Sequence, residues 1–452
     1  MNLVFYYICY FNVVITTAEP PVILFCDIIS QAHRPPQNYK CKVMKYFDKL
    51  SNKFLNYIKN NLSADPASLY LQSASKQYDF PVAFAIEQIE CRRKCAKKLS
   101  RYLQHIEFIF PTHLAAEQAT HQCVAAYHAY LVGNSHNVID ITAGLGIDAF
   151  SFANNGNQVT AIELEEDRYE ALCHNAAIVT SGDITIVHAD SLAWIRENTD
   201  RCRFDYLFVD PARRDNLKRR TYSFADSLPD ILTNFPLISS IADNIVIKAS
   251  PLLDITQVKR EIPAITSFHI VCIKGECKEV LAMVEQNKEA ADPEIVAIDL
   301  NENREAEVDV ISKWVIKMSQ LSNDAPIADV SDLVPQTYIY DPNASIHKLN
   351  CSSEICCRFE GLKKISSNTE LYCSTELHTD FPGRIFRIES ILDKSAGKLL
   401  RQQRREVIVR NYPLTADQLR AKMRLKSGDE GFLIGCKVGE KASPTLMDCK
   451  KI

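Results

Sequence analysis

A buried strand that runs into a glycine turn, with a helix directly behind it, constrains the fold of this chain more than any other feature. Residues 138–150 read V-I-D-I-T-A-G-L-G-I-D-A-F, in which the strand ends at Asp140 and the turn contains Gly144 and Gly146. Two glycines at such a turn let the backbone approach a ligand where a Cβ atom would clash. The helix that begins at Ile147 offers unpaired N–H groups to an anionic group. The segment therefore predicts a cofactor-binding turn.

Further apolar segments, each ending in polar residues, follow along the chain. Helical segments such as 167–179 separate them, which predicts a parallel, doubly wound sheet with ligands at the carboxyl ends of its strands. The predicted fold class is therefore α/β with a Rossmann-like core. The predicted strands and the polar residues at their ends are 158–162 with Glu163, 184–187 with His188 and Asp190, 204–209 with Asp210, and 244–247 with Lys248.

The acids at the strand ends help to identify the cofactor. The spacing of the glycines does not decide it, because Ala149 stands where a dinucleotide fingerprint tolerates alanine as its third small residue. Asp140 is well placed to meet a cationic amino group, and Glu163 to accept both hydroxyls of a ribose. Asp190 either meets an adenine amino group or caps the helix that begins at Ser191. S-adenosylmethionine has an amino acid end and a ribose, so it is the predicted cofactor; an NAD-dependent oxidoreductase is the alternative on the same fold.

Five motifs resemble those of bacterial class I S-adenosylmethionine-dependent methyltransferases that carry a C-terminal THUMP-like domain. The resemblance extends from about residue 44 to about residue 437. It implies a Rossmann-like methyltransferase core, an N-terminal helical region, a small ferredoxin-like α+β module and a THUMP-like α+β domain, with S-adenosylmethionine as cofactor. The motifs are D-I-T-A-G-L-G-I-D at 140–148, V-D-P-A-R-R at 209–214, K-A-S-P-L-L-D at 248–254, Y-D-P-N-A-S-I at 340–346 and V-R-N-Y-P-L-T at 409–415.

The expected domain boundaries follow these motifs. Residues 3–15 are apolar, but no basic residue precedes them, and they are fewer than the ~20 apolar residues that a membrane-spanning helix needs. We therefore interpret 1–43 as a poorly integrated extension before a fold that starts at Met44, with a signal or membrane anchor as the alternative. The remaining expected boundaries are 44–131 for the helical region, 132–272 for the methyltransferase domain, 273–325 for the ferredoxin-like module, 326–374 for a connector and 375–452 for the THUMP-like domain.

The segment D-P-A-R-R after the fourth strand is the predicted acceptor site. In methyltransferases that modify nitrogens of bases, a short acidic or amide residue at this place accepts the target N–H, so Asp210 is predicted to orient or deprotonate the acceptor. Ala212 and Arg213 stand where a proline and an aromatic residue would be expected. Arginine can stack on a base and still pair with phosphate. We therefore predict Arg213 as a second catalytic residue and Arg214 as a substrate-binding residue.

Two other residue types bear on the reaction. Methylation of pyrimidine C5 requires a cysteine nucleophile, and no cysteine lies within 210–214 or 248–254, so this chemistry is disfavoured. Lys248 is interpreted as a cation at a strand end that reaches towards solvent, without a catalytic role. The predicted reaction is methylation of a nitrogen in an RNA base, and the alternative is an RNA-binding protein that holds S-adenosylmethionine without turnover.

The charge distribution predicts where RNA binds. The net charge of −4 excludes a globally basic nucleic-acid binder but not a local basic patch. The segment 384–426 contains 12 Lys or Arg against 4 Asp or Glu. Within it, Arg401, Arg404 and Arg405 are the predicted contacts to a tRNA or rRNA substrate. A second candidate surface is the basic segment 92–101, which is expected to lie on an amphipathic helix over 86–103.

The chain has 16 cysteines, none in a C-x-x-C pair. Their irregular spacing does not match a zinc framework, so no metal is predicted. Free thiols in a reducing cytosol are the favoured interpretation, which predicts a cytoplasmic protein.

Overall fold

The computed structural model describes residues 50–213, 224–392, 400–428 and 430–452. The predicted N-terminal extension, 1–43, and Arg214 lie outside these residues. No helix in the described part of the chain is both long enough and apolar enough to cross a lipid bilayer.

The described N-terminal residues form helices, as expected. Their first residues are set by local capping: the side chains of Ser51, Asp65 and Thr112 each accept a hydrogen bond from a backbone N–H of the first turn. The helices are α1 (Asn52–Asn61), α2 (Pro66–Ser73), α3 (Val82–Cys95), α4 (His113–Gln118) and α5 (Gln122–Val132).

The basic segment 92–101 differs from the prediction. Helix α3 ends at Cys95 and does not continue to Leu103. Arg92 is 4% exposed, and its guanidinium donates hydrogen bonds to backbone carbonyls of the following segment, including those of Ile106 and Phe108 at 2.7 Å each. An arginine that satisfies buried carbonyls in this way stabilises the chain reversal after α3. Arg92 is therefore a structural residue and not part of a surface that faces RNA.

A nine-stranded sheet forms the centre of the described structure, with the order β11-β10-β8-β9-β7-β4-β1-β2-β3. Strands β3, β2, β1, β4 and β7 are parallel neighbours, which confirms the predicted α/β class. The strands are β1 (Asn137–Asp140), β2 (Gln158–Glu163), β3 (Ile184–His188), β4 (Phe204–Val209), β7 (Ala242–Ala249), β8 (Ser267–Ile273), β9 (Glu276–Glu285), β10 (Glu294–Leu300) and β11 (Val310–Lys317).

The expected ferredoxin-like module at 273–325 is not a separate unit. Strand β9 pairs antiparallel with both β7 and β8, and β10 pairs parallel with β8. The centre of β9 is fully buried, with Val280, Leu281 and Ala282 each 0% exposed. A strand that is apolar on both faces has to lie inside a covered sheet. The segment therefore extends the methyltransferase sheet.

Helices cover both faces of this sheet. The end of α3 and helices α4 and α5 share one apolar core with the side of the sheet that carries α6 and α7, and α9 and α10 pack on the other side. Helices α1 and α2 form a separate apolar cluster with the first half of α3. Two short strands, β5 (Ala212–Arg213) and β6 (Ser227–Leu228), form a separate hairpin-like pair. The helices are α6 (Ile147–Asn154), α7 (Glu166–Val179), α8 (Ser191–Asn198), α9 (Ile231–Ile241) and α10 (Ile255–Glu261).

A second, seven-stranded sheet follows, with the order β13-β14-β12-β15-β18-β17-β16. The expected connector, 326–374, contributes three of its strands, so it is a structured part of the C-terminal half. The elements are β12 (Tyr338–Pro342), α11 (Ala344–His347), α12 (Ser352–Arg358), β13 (Lys363–Ser366), β14 (Thr369–Ser374), β15 (Gly383–Ile391), β16 (Glu406–Arg410), α13 (Ala416–Met423), β17 (Phe432–Val438) and β18 (Ser443–Lys451).

Candidate active site

A cavity of about 850 Å³ opens at the carboxyl ends of β1, β2, β3, β4 and β7. This volume lies within the range of roughly 300–1,000 Å³ that is typical of small-molecule sites. The N-terminal helical region also contributes to its wall, through α4 and the residues after it. The lining includes residues 115, 118–120, 141–148, 162–165, 168, 189–192, 210–212, 228–230, 234 and 248.

The glycine turn forms the floor of the cavity together with Glu163. Gly144 and Gly146 have φ values of +56° and +90°, in the left-handed region that favours glycine. The two carboxylate oxygens of Glu163 accept the backbone N–H groups of Gly144 and Glu165, at 2.8 Å each. A carboxylate has about four acceptor positions, so Glu163 keeps capacity for further hydroxyl donors.

Asp140 does not line the cavity. Its side chain is 1% exposed beneath the turn, and its carboxylate accepts the N–H of Thr142 at 3.0 Å. Burial raises the pKa of Asp140 well above its usual range, and nearby acids such as Asp148 add to this effect. The predicted contact between Asp140 and an amino group of the cofactor therefore finds no support in its position.

Asp190 lines the cavity and also caps α8. Its Oδ1 accepts the N–H of Ala193 at 2.8 Å, so the capping interpretation of this residue describes an observed contact. This cap uses one of the two carboxylate oxygens. The cap is therefore observed, and the contact of Asp190 with an adenine amino group stays a prediction.

Asp210 directly follows β4 and lines the cavity. Its N–H donates to Oγ1 of Thr142 at 2.7 Å, which fixes the backbone at the end of β4 against the glycine turn. Its Oδ2 accepts a hydrogen bond from Nζ of Lys248 at 2.6 Å. Removal from bulk water raises the pKa of Asp210, and the charge of Lys248 opposes this shift. The side chain is 36% exposed, towards the cavity.

Lys248 is part of the site and does not reach towards solvent, so the interpretation drawn from the sequence is wrong on this point. Its side chain is only 13% exposed, and Nζ also lies 3.0 Å from Oγ1 of Thr120 and 3.9 Å from Oε2 of Glu279. Burial alone would lower the pKa of Lys248, but the charges of Asp210, Glu279 and Asp148 together raise it. Lys248 is therefore a fixed cation and cannot serve as a proton acceptor near neutral pH.

A buried histidine completes this network of charges. Nδ1 of His128 lies 2.8 Å from Oδ1 of Asp148, and Nε2 contacts Oε1 of Glu279. Burial opposes the charged form, but Glu279 and Asp148 raise the pKa of His128 to about 9. The hydrogen bond and charge of His128, with the charge of Lys248, outweigh burial and lower the pKa of Asp148. Three carboxylates and two cations therefore meet beside the cavity.

The sequence contained partial signals for these residues. Asp148 stands two positions after Gly146, inside the motif that identified the turn, and Lys248 ends a strand that was correctly predicted. His128 and Glu279 are 151 positions apart and carry no local signature. Only the packing of α5 against the start of β9 brings them together.

The predicted substrate arginines have different surroundings. The backbone of Arg213 pairs with Ser227 in the β5–β6 ladder, and Arg214 lies outside the described residues. Arg401 and Arg404 are exposed on the C-terminal sheet domain. Arg405 is instead a structural residue, because its guanidinium donates to Oδ1 of Asp448 at 2.9 Å and both side chains are only 14% exposed.

The matches to known families follow the order of the three folded parts. Residues 135–287 match the family described as RNA cap guanine-N2 methyltransferase. Residues 338–382 match a ferredoxin-like domain, and residues 383–451 match a THUMP domain-like family. These matches confirm the resemblance to methyltransferases with a THUMP-like domain. They also place the ferredoxin-like domain after the residues where it was expected.

Two relatives extend this result. A crystal structure from Porphyromonas gingivalis W83, which carries a methyltransferase designation, is 25% identical, has a TM-score of 0.74, and aligns over 88% of this chain and 97% of that one. The ribosomal RNA small subunit methyltransferase J of Chromobacterium violaceum is 37% identical over 91 residues. That match covers 18% of this chain and 35% of the relative, so the chain spans about a third of the curated protein that it matches.

Proposed function

We propose that this chain, which contains a methyltransferase domain, a ferredoxin-like domain and a THUMP-like domain, transfers a methyl group from S-adenosylmethionine to a nitrogen of an RNA base. One observation carries the proposal: an acidic side chain, Asp210, borders the same cavity as the glycine turn and Glu163. Donor and acceptor positions would then be adjacent, as an in-line methyl transfer requires.

The cavity fits S-adenosylmethionine in two respects. Glu163 is fixed by Gly144 and Glu165 and retains acceptor positions for ribose hydroxyls. A Cβ atom at Gly144 would meet only the carbonyl oxygen of Thr142, at 3.9 Å, so the backbone is open towards the cavity at this residue. Gly144, Glu163 and Asp190 would hold the donor. When bound, S-adenosylmethionine supplies a methyl group on a cationic sulfur.

Asp210 would act on the acceptor. Lys248 occupies Oδ2, so Oδ1 is the oxygen that would accept an N–H of the base. This contact orients the nitrogen lone pair towards the methyl group and receives or stabilises the proton that the nitrogen loses. Arg213 and Arg214, which follow in the chain, are proposed to position the base and its phosphates.

An RNA substrate is supported by the names of the matched proteins and by the surface of the C-terminal domain. The matched family acts on guanine N2 of an RNA cap, and the curated relative acts on ribosomal RNA, according to their names. Arg401 and Arg404 are exposed on the THUMP-like domain, where they could contact phosphates. The cysteines that the structure describes are free thiols, which supports a place in the reducing cytoplasm.

The test is methyl transfer from radiolabelled S-adenosylmethionine to purified tRNA and rRNA, assayed separately, with mass spectrometry of the product nucleosides. We expect a methylated base nitrogen in one RNA pool. The variant Asp210→Asn tests the role of the carboxylate: it should bind the donor normally and lose about 100-fold or more in turnover. Methylation of a ribose oxygen or a base carbon would reject the assigned acceptor. Donor binding without transfer to any RNA would reject the enzymatic function.

A further inference from the structure

We propose that Lys248 is a positioning residue for methyl transfer, which holds one oxygen of Asp210 so that the other faces the acceptor. This inference rests on the proposed function, in which Asp210 accepts an N–H of the substrate. Among the described residues, every hydrogen bond to the carboxylate of Asp210 reaches Oδ2, and its donor is Nζ of Lys248 at 2.6 Å. The orientation of this carboxylate therefore depends on Lys248.

The ammonium group of Lys248 is held by two hydrogen bonds and one ion pair. It donates to Oδ2 of Asp210 and to Oγ1 of Thr120 at 3.0 Å, and Oε2 of Glu279 lies 3.9 Å away, within ion-pair range but beyond hydrogen-bond distance. The hydroxyl of Thr120 uses its own hydrogen for Oδ2 of Asp148, at 2.5 Å, so it can only accept from Lys248. The direction of each hydrogen bond in this chain of contacts is thereby determined.

His128 holds the far end of the same network. Its two ring nitrogens face Oδ1 of Asp148 and Oε1 of Glu279, and a histidine that donates to two carboxylates carries a proton on each nitrogen. Lys248 and His128 thus each bridge two acids. Because both hydrogen bonds of Lys248 go to protein groups and its charge pairs with Asp210 and Glu279, it acts through Asp210 and not on the substrate.

Other charged groups also face this network and would influence its pH dependence. The charges of Asp148 on α6, Glu279 on β9 and Lys98 in the segment after α3 act on Lys248. His128 on α5 bridges Asp148 and Glu279, and Asp140 on β1 faces the charges of Asp148, Asp210 and Glu163. Removal of the Lys248 charge leaves Asp210 among acids. The pKa of Asp210 should therefore rise when Lys248 is replaced by a neutral residue.

The first experiment measures kcat, KM and their pH profiles for the full-length protein and the variants Lys248→Met and Lys248→Arg. Lys248→Met should lower kcat by about 100-fold, the scale expected for a misplaced reacting group, with little change in KM. The acid limb of its kcat profile should move to higher pH. Lys248→Arg should restore part of the turnover, because arginine keeps the positive charge and can donate to the carboxylate of Asp210. Lys278→Met, which removes a cation that pairs with Glu276, should behave as the unmodified protein.

The second experiment does not need the RNA substrate. The carboxyl ¹³C signal of Asp210, assigned through Asp210→Asn, is titrated in the unmodified protein and in both Lys248 variants. A higher midpoint in Lys248→Met, and a nearly unchanged one in Lys248→Arg, would support the inference. If Lys248→Met does not fold, Lys248→Gln replaces it.

The outcomes separate the inference from the proposed function. Normal kcat in a folded Lys248→Met variant would overturn the inference and leave the methyltransferase proposal intact. An unchanged midpoint of Asp210 would overturn the inference whatever the substrate is. If the unmodified protein transferred no methyl group to RNA, the proposed function would fail, and the ¹³C titration would still decide whether Lys248 controls Asp210.

Discussion

Gly146 packs directly against Leu172 of α7. A Cβ atom at residue 146 would lie 2.3 Å from Cδ1 of Leu172 and 2.5 Å from the ring of Phe150. At these distances the side chains of Leu172 and Phe150 would have to move away from the added Cβ atom, and both are fully buried. Both glycines line the cavity, but the second is also required by helix packing, whereas a Cβ atom at Gly144 would meet only the carbonyl oxygen of Thr142. The two positions of this motif therefore require glycine for different physical reasons.

This difference predicts that two alanine substitutions affect stability and donor binding to different extents. Gly146→Ala should lower the free energy of unfolding by about 2–4 kcal/mol, through overpacking and a positive φ angle. Gly144→Ala, with open space around its Cβ atom, should cost only about 1–2 kcal/mol for the left-handed backbone and should mainly weaken donor binding. Thermal denaturation and calorimetry with S-adenosylmethionine measure the two effects. Equal losses of stability in both variants would contradict the conclusion that helix packing requires a glycine at residue 146 but not at residue 144.

Glu163 and Asp140 provide a second matched pair, since both are buried acids at strand ends. Glu163→Gln should weaken the binding of S-adenosylmethionine by about 10- to 100-fold, the scale for a lost hydrogen bond to a charged acceptor. Asp140→Asn should leave the dissociation constant within about threefold, because Asp140 does not line the cavity and its raised pKa favours the neutral form. Isothermal titration calorimetry on both proteins tests this. A large loss for Asp140→Asn would instead place a cofactor contact at that residue.

His128 should make stability depend on pH in the alkaline range. Its pKa is raised to about 9, against about 6.5 for a histidine in an unfolded chain. A raised pKa means that the stabilisation is complete below about pH 6.5 and is lost as the pH rises through about 9. Urea denaturation between pH 6 and pH 10 should show this decline. The variant His128→Gln should be less stable at pH 6.5 and should show a flatter profile; a profile identical to that of the unmodified protein would exclude His128 as the cause.

The C-terminal arginines should separate into binding and structural residues. Reversal of Arg401 and Arg404 to Glu should weaken RNA binding and flatten the log–log salt dependence by about 1.4, at roughly 0.7 per lost phosphate contact with single-stranded RNA. Arg405→Ala should instead destabilise the C-terminal sheet, because it leaves Asp448 without its partner. Filter binding at several salt concentrations and thermal denaturation distinguish the two. RNA binding that is insensitive to the double reversal would move the interface elsewhere.

The sequence by itself determined the parts of this protein that depend on local patterns. Strand β1, the glycine turn and the strand ends at Glu163, Asp210 and Lys248 could be predicted, because backbone freedom and burial periodicity are properties of short segments. The class of fold followed from their alternation with helices. The different roles of Gly144 and Gly146 could not be predicted, because atoms that surround Gly146 belong to a distant segment, α7.

Tertiary structure alone decided the pairing of charges and the limits of the domains. Lys248 pairs with Asp210 and Thr120, which are 38 and 128 positions away, and no local pattern encodes such a contact. Strands β9 to β11 were predicted to lie in a separate module but belong to the main sheet, since apolar runs specify burial but not the strand beside them. Arg92 and Arg405 read as surface cations for the same reason: whether an arginine meets water, a carbonyl or a buried carboxylate is fixed only when the chain has folded.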